Sequence, residues 1–141
     1  MPYFLSTTDL VTGSDRLDAE HRKLIALIDA VIAACDSGAS TGTISLHMAH
    51  LLHFARAHFA QEDAEMCRLS YSGRDAHGQD HARLLHQLEE RKSRLDAGQA
   101  MDCVQTYDFM RGWLRGHIQQ FDIPLVATRD FGFGNAGPAG V

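Results

Sequence analysis

The sequence has no long apolar segment and no excess of positive charge, and each absence excludes a class of protein. No window approaches 18 uninterrupted apolar residues, so the sequence predicts neither a transmembrane helix nor a signal peptide. Thirteen lysines and arginines against eighteen acidic residues give a net charge of −5, which is the wrong sign for binding a phosphate backbone. We therefore expect no nucleic-acid partner and no membrane insertion.

Cysteine is also scarce. Cys35, Cys67 and Cys103 are odd in number, lie far apart and form no CxxC pair. We expect three reduced thiols rather than a disulfide framework, and therefore a soluble cytoplasmic protein. The length of 141 residues fits one compact domain.

Apolar residues recur with helical spacing in four long stretches, and short segments rich in Gly, Ser, Thr or Asp separate these stretches. No alternating pattern typical of strands competes with them. The helices are predicted from about Ser14 to Asp36, from Thr43 to Ser70, from a cap near Asp75 to Gly98, and from Asp102 to Pro124. Short connections favour an all-α, antiparallel up-down-up-down four-helix bundle. We expect an N-terminal arm over residues 1–13, the bundle over 14–126, and a Gly-rich C-terminal tail over 127–141.

Histidine, by contrast, is abundant, with nine residues. Histidine is the commonest metal ligand but also a frequent buried hydrogen-bonding residue, so the spacing must decide between these roles. His58 with Glu62, and His77 with His81, are each four residues apart and so share one helix face. One such pair alone is usually a solvated face or a capped core histidine. Several pairs in one bundle would bury many polar groups, at about 1–3 kcal/mol for each one left unsatisfied, unless a metal centre satisfies them together.

His117 and Asp122 form a further candidate pair, but they are five residues apart. On a regular helix that spacing would leave the two side chains about 140° apart and unable to share a metal. A wide π-type turn before Pro124 would bring them together. Asp122 is therefore either a ligand reached through a local distortion or an ordinary acid at a helix end.

The order of these residues is His21, then HFAQE at 58–62, HGQDH at 77–81 and WLRGHIQQFD at 113–122, and it resembles the hemerythrin family, especially its single-domain bacterial members. The resemblance covers residues from about 17 to 125. It implies a non-haem centre of two iron ions with a bridging oxo or hydroxo group. It also implies that His77, His81 and His117 bind one iron and His21 and His58 the other, with Glu62 and Asp122 bridging both. The segment before the first helix lacks the tryptophan often found there in the family.

The resemblance further implies an oxygen pocket. Its positions fall on apolar residues in this sequence, namely Leu24, Phe59, Trp113, Leu114 and Ile118. Any one of these residues could equally be ordinary core. Dioxygen, or a small anion such as azide, is expected at the iron of His21 and His58, because the family assignment leaves a vacancy there. The remaining histidines, His47, His50, His53 and His86, are expected at the surface or the bundle edge.

The predicted function is reversible oxygen binding, as a carrier, store or sensor, rather than catalysis. Two alternatives remain: a di-iron enzyme acting on peroxide, nitric oxide or ferrous iron, and a signalling module read by a protein partner. Ferritin-like di-iron bundles carry four carboxylates and two histidines, whereas this chain has the inverse balance, which favours reversible binding. Imidazole with carboxylate also suits zinc, so zinc is the alternative metal.

Overall fold

A computed structural model describes residues 8–128, and every regular element in that range is helical. The four long helices are α1 (Asp15–Asp36), α2 (Thr41–Arg68), α3 (Arg74–Asp96) and α4 (Cys103–His117). Helix α4 runs on into a π-helical turn over Ile118–Asp122 and a short helix, α5 (Ile123–Val126), and a 3₁₀ turn over Thr8–Leu10 precedes α1. The prediction of an all-α fold is confirmed.

Local capping explains where the helices begin. Asp102 caps α4 as predicted, and Ser14 caps α1; each side chain accepts a hydrogen bond from the backbone N–H three residues further on, at 2.9 and 3.2 Å. Helix α2 begins two residues earlier than predicted, because Ser40 caps it in the same way. The predicted cap Asp75 is wrong, because α3 begins at Arg74 and Asp75 lies in its first turn, where a negative charge favours the helix dipole.

The helices pack in chain order around one core. Helix α1 contacts α2 and α4, and α2 contacts α3. Between α3 and α4, the indole Nε1–H of Trp113 donates to the carbonyl oxygen of Leu84 at 3.0 Å. The four-helix bundle predicted from the periodicity is confirmed.

The described part of the N-terminal arm, residues 8–13, packs on the bundle without a tryptophan. Leu10 is only 3% exposed and joins the main core cluster. Asp9 pairs with Arg115 on α4, and Thr12 donates from its backbone N–H and its hydroxyl to Asp18 on α1, at 2.9 and 2.7 Å. The domain boundaries given above stay predictions, because residues 1–7 of the arm and 129–141 of the tail lie outside the described residues.

The prediction of three reduced thiols is wrong. Cys35 near the end of α1 and Cys103 at the start of α4 form a disulfide, with their Cα atoms 5.7 Å apart, and Cys67 is a free, exposed thiol. The two residues are 68 positions apart in sequence, but alternating helix directions return the end of α1 and the start of α4 to the same end of the bundle. The cytoplasmic location was predicted from reduced thiols, and the disulfide removes that basis for it.

Reducing the bond between Cys35 and Cys103 is expected to lower the melting temperature of the metal-free protein. In the loop-entropy model, closing a loop of 68 residues lowers the entropy of the unfolded chain and so raises the free energy of unfolding by about 4 kcal/mol. That corresponds to a shift of the melting temperature on the order of 10 °C. Thermal denaturation followed by circular dichroism, with and without a dithiol reductant, measures the shift. The variant Cys67→Ser retains the bond and should show the same reductant-dependent shift as the wild type. Equal melting temperatures in both conditions would contradict the expectation.

Within residues 8–128, no helix combines the length and the apolar character that crossing a membrane requires.

Candidate metal centre

The predicted ligands converge at one end of the bundle interior. Each helix contributes ligand residues from the half that lies at this end of the bundle. Because neighbouring helices run in opposite directions, these residues meet at one level. Every one of these side chains belongs to a residue that is at most 4% exposed, and the set consists of His21, His58, Glu62, His77, His81, His117 and Asp122. The structure leaves none of the seven predicted ligand residues outside the cluster.

One group of potential ligand atoms contains the Nε2 atoms of His77, His81 and His117. One oxygen each of Glu62 and Asp122 completes it. Its nearest contacts are uniform in length: His77 lies 2.8 Å from Glu62 and 3.0 Å from Asp122. His117 Nε2 lies 3.2 Å from His77 Nε2, 3.1 Å from His81 Nε2 and 3.1 Å from Asp122 Oδ1. An octahedral ion with bonds of about 2.1 Å sets adjacent ligand atoms about 3 Å apart. The group therefore fits the spacing of an octahedral metal site.

A second group contains His21 and His58 and shares both carboxylates with the first. His21 Nε2 lies 2.9 Å from Asp122 Oδ2, and His58 Nε2 lies 3.6 Å from Glu62 Oε2. The opposite oxygens, Glu62 Oε1 and Asp122 Oδ1, are the ones that contact the three-histidine group. Each carboxylate thus presents one oxygen to each group, as a ligand that bridges two metal ions would.

A π-helical turn brings Asp122 into the cluster. The turn spans Ile118–Asp122, directly after His117, and its wider i to i+5 geometry compensates for the five-residue spacing. Asp122 is fully buried, so it is not an ordinary acid at a helix end. Of the two alternatives that the sequence leaves open, the structure agrees with the local distortion.

Several buried polar atoms in the cluster lack a hydrogen-bond partner. They are both ring nitrogens of His21, His58 Nε2, Glu62 Oε2, His77 Nδ1 and both Asp122 oxygens. Most of them lie beside another polar atom without the alignment of a hydrogen bond; His21 Nε2 and Asp122 Oδ2 are an example at 2.9 Å. Leaving such atoms unsatisfied costs about 1–3 kcal/mol each, whereas metal ions at the centre of each group would satisfy them. The donor set of imidazoles and carboxylates without thiolate suits iron.

The buried carboxylates and imidazoles shift one another's pKa in the metal-free protein. Burial raises the pKa of the Asp122 carboxyl, but the close imidazoles of His117, His21 and His77 outweigh burial and hold that pKa well below its ordinary value. Burial lowers the pKa of His117, yet the close carboxylates of Asp122 and Asp80 raise it to about 9. An ionised Asp122 therefore lies beside a protonated His117 in the metal-free protein. A metal ion would replace that proton, because a histidine must be neutral to bind a metal.

Three further acids contact the cluster histidines from outside. Glu20 lies 2.6 Å from His58 Nδ1, Asp63 lies 2.7 Å from His81 Nδ1, and Asp80 lies 2.7 Å from His117 Nδ1. The sequence analysis does not identify these acids. A signal exists nevertheless, because each acid directly neighbours a predicted ligand in the sequence, as in the pairs Glu20 with His21, Asp63 with Glu62 and Asp80 with His81.

The five predicted pocket residues are all buried in the main core cluster, namely Leu24, Phe59, Trp113, Leu114 and Ile118. Phe59 contacts the metal-ligand cluster directly: its ring stacks on His81 with the ring centroids 4.2 Å apart, and lies 5.5 Å from the ring of His58. The ring of Trp113 follows at 6.1 Å from Phe59. Buried apolar side chains therefore line the interior beside the histidines.

The other histidines lie away from the centre. His50, His53 and His86 are exposed, and His47 is half-buried with its ring 6.3 Å from that of His50. Within the part of the chain that the structure describes, none of these four joins a group of potential metal ligands.

Comparison with known proteins adds the family relationship. Residues 12–122 match the family model described as the hemerythrin HHE cation binding domain. The chain is similar to a bacteriohemerythrin of Methylococcus capsulatus, with 25% identity over 105 residues, or 74% of this chain and 79% of that protein. It is also similar to a bacteriohemerythrin of Pseudomonas paraeruginosa, with 25% identity over 126 residues, or 89% and 81% of the two chains.

Among solved structures, the fold is similar to that of a hemerythrin mutant with a TM-score of 0.77 and 22% identity. The match covers 85% of this chain and 91% of the other. At this identity, the likeness shows a common fold.

Proposed function

The chain belongs to the hemerythrin HHE cation binding family, as the motif order predicted, and from that premise we propose that it holds two iron ions and binds dioxygen reversibly, as a carrier, store or sensor. One observation supports the proposal most: two groups of buried ligand atoms share the carboxylates of Glu62 and Asp122, and each carboxylate turns one oxygen to each group.

We assign His77, His81 and His117 to one iron and His21 and His58 to the other. Glu62 and Asp122 would bridge the two ions. The arrangement gives the second iron one protein ligand fewer than the first. The position of His21 and His58 is therefore where we propose that dioxygen, or azide on the oxidised protein, is bound.

Two bound ferrous ions would supply the two electrons that dioxygen accepts on binding and returns on release. The protein contributes a dry and apolar surrounding: Phe59 covers the imidazoles of His58 and His81, and Leu114 and Ile118 are fully buried in the same core. Excluding water and protons from this region would slow oxidation of the iron and so preserve reversibility. We propose binding rather than catalysis because only two carboxylates serve the two ions, in contrast to the four of ferritin-like bundles.

Loading the protein anaerobically with ferrous iron should give two irons per chain by metal analysis, because the seven ligands exceed what one octahedral ion can accept. Exposure to air should then change the optical spectrum, and removal of oxygen under vacuum should restore it. Azide added to the oxidised protein should produce a new absorption band.

Saturation at one iron would disprove the dinuclear assignment. An irreversible spectral change would refute reversible binding, and rapid turnover of peroxide by the loaded protein would favour the enzyme alternative. The His86→Ala variant is a suitable control, since His86 is exposed and lies outside the centre.

A further inference from the structure

The three acids that contact the cluster from outside follow a regular order around the bundle. Glu20 of α1 contacts His58 of α2. Asp63 of α2 contacts His81 of α3. Asp80 of α3 contacts His117 of α4. Each acid thus belongs to the helix that precedes the helix of its histidine. On each of the three helices that supply an acid, the acid lies beside a predicted metal ligand in the sequence and contacts a histidine ligand of the next helix.

These contacts determine which nitrogen of each imidazole faces the centre. A carboxylate that accepts the Nδ1–H bond fixes the tautomer and the ring orientation, which leaves Nε2 free to bind a metal. In all three pairs the acid occupies Nδ1, while Nε2 points into the cluster: the Nε2 atoms of His81 and His117 lie 3.1 Å apart. Such outer partners are typically worth about 10–100-fold in metal affinity.

The two metal positions differ in this support. At the three-histidine position, two ligands have an acid at Nδ1, and His77 has none. At the two-histidine position only His58 has one, because His21 Nδ1 has no hydrogen-bond partner. Without Glu20, neither imidazole at the two-histidine position would have a hydrogen-bonded acid at Nδ1.

His21 also borders a small cavity between the arm and α1. The cavity has a volume of about 30 Å³, and its other lining residues are Leu10, Val11, Asp18, Arg22 and Ile25. A space of this size can hold a water molecule. His117 of the three-histidine position also borders a surface pocket, so the cavities do not distinguish the two positions, and the expected order of iron release rests on the acid contacts alone.

Building on the di-iron site proposed above, we propose that Glu20, Asp63 and Asp80 are positioning residues for the metal ligands, and that Glu20 is the one of these three acids that supports retention of the iron at His21 and His58. The position of His21 and His58 then releases its iron first, and the three-histidine position releases its iron second.

Release of iron to a chelator tests this order directly, using the full chain loaded with two irons. The wild type should lose iron in two phases of one ion each. Glu20→Leu should accelerate the first phase about tenfold or more and leave the second phase within about twofold. Glu20→Gln should fall between these values, because its amide oxygen still accepts the Nδ1–H bond of His58 without the negative charge. Asp63→Asn and Asp80→Asn should accelerate the second phase.

Glu89→Gln is the matched control, since Glu89 contacts Arg56 between α2 and α3 and touches no histidine. Its release rates should equal those of the wild type. The metal-free Glu20→Leu protein should still unfold in one cooperative transition, with a melting temperature lowered by no more than about 10 °C, because the loss of Glu20 leaves only the buried Nδ1–H of His58 unpaired, at a cost of about 1–3 kcal/mol. This readout separates positioning from general loss of structure.

Glu20→Leu with the release rates of Glu89→Gln would overturn the proposal, and so would acceleration of the same phase by all three acid variants. Binding of a single iron by the wild type would overturn both this proposal and the proposed function. Two irons with the expected release order, but without a response to oxygen, would refute oxygen binding alone.

Discussion

Replacing His81 by alanine is expected to reduce iron binding more than about 100-fold, and to leave purified protein with less than about one iron per chain. His81 is 2% exposed, its Nε2 lies 3.0 Å from Glu62 Oε1, and its Nδ1 lies 2.7 Å from Asp63. The substitution therefore removes a ligand and leaves two acids without their partner. Metal analysis after loading and dialysis measures the effect.

His86→Ala is the matched control on the same helix. The side chain of His86 is 70% exposed, and its closest acidic contact is Glu90 at 3.6 Å. Its removal should leave the iron content unchanged. Equal losses in the two variants would disprove the distinction between a ligand and a solvated histidine.

Removing iron from the wild-type protein should lower the melting temperature by about 10 °C or more. A ligand present at a thousand times its dissociation constant stabilises the native state by about 4 kcal/mol, and the ligands of this centre converge only in the folded bundle. In the metal-free state, burial and the neighbouring Asp122 carboxylate both act to raise the pKa of Glu62, and only close imidazoles, chiefly those of His77 and His81, outweigh them, so histidines must offset the charge that metal ions would otherwise neutralise. Differential scanning calorimetry of the loaded and metal-free proteins measures the difference.

The comparison needs a variant that folds but holds less metal. Iron should raise the melting temperature of His81→Ala clearly less than that of the wild type. Identical melting temperatures for loaded and metal-free wild type would mean that the metal does not stabilise the core, contrary to the burial of all seven predicted ligands.

Helical periodicity was sufficient to predict the four helices, because an amphipathic helix depends on residues close in sequence. The same holds for the pairs His58 with Glu62 and His77 with His81, whose four-residue spacing fixes a common face. Asp122 could not be assigned from its spacing, because a π-helical turn changes which residues share a face. Here local geometry decided what the sequence left open.

Contacts between distant residues were harder to predict. The bond between Cys35 and Cys103 depends on how far each helix extends and on which ends meet, so counting cysteines led to the wrong conclusion. Glu20 contacts a histidine of another helix, and only the packing of α1 on α2 reveals that contact. Acids beside metal ligands in the sequence are therefore worth testing as partners of ligands on the neighbouring helix.

The Cys35–Cys103 bond turns the chain between these residues into a closed covalent ring. Helices α2 and α3 lie within the ring, with His58, Glu62, His77 and His81, whereas His21, His117 and Asp122 lie on the two segments that leave it. A protease that cut the connection between α1 and α2, or the one between α3 and α4, would open the ring without dividing the molecule. The nicked protein would migrate as one species of full mass on a denaturing gel without reductant, and would separate into two pieces only after reduction.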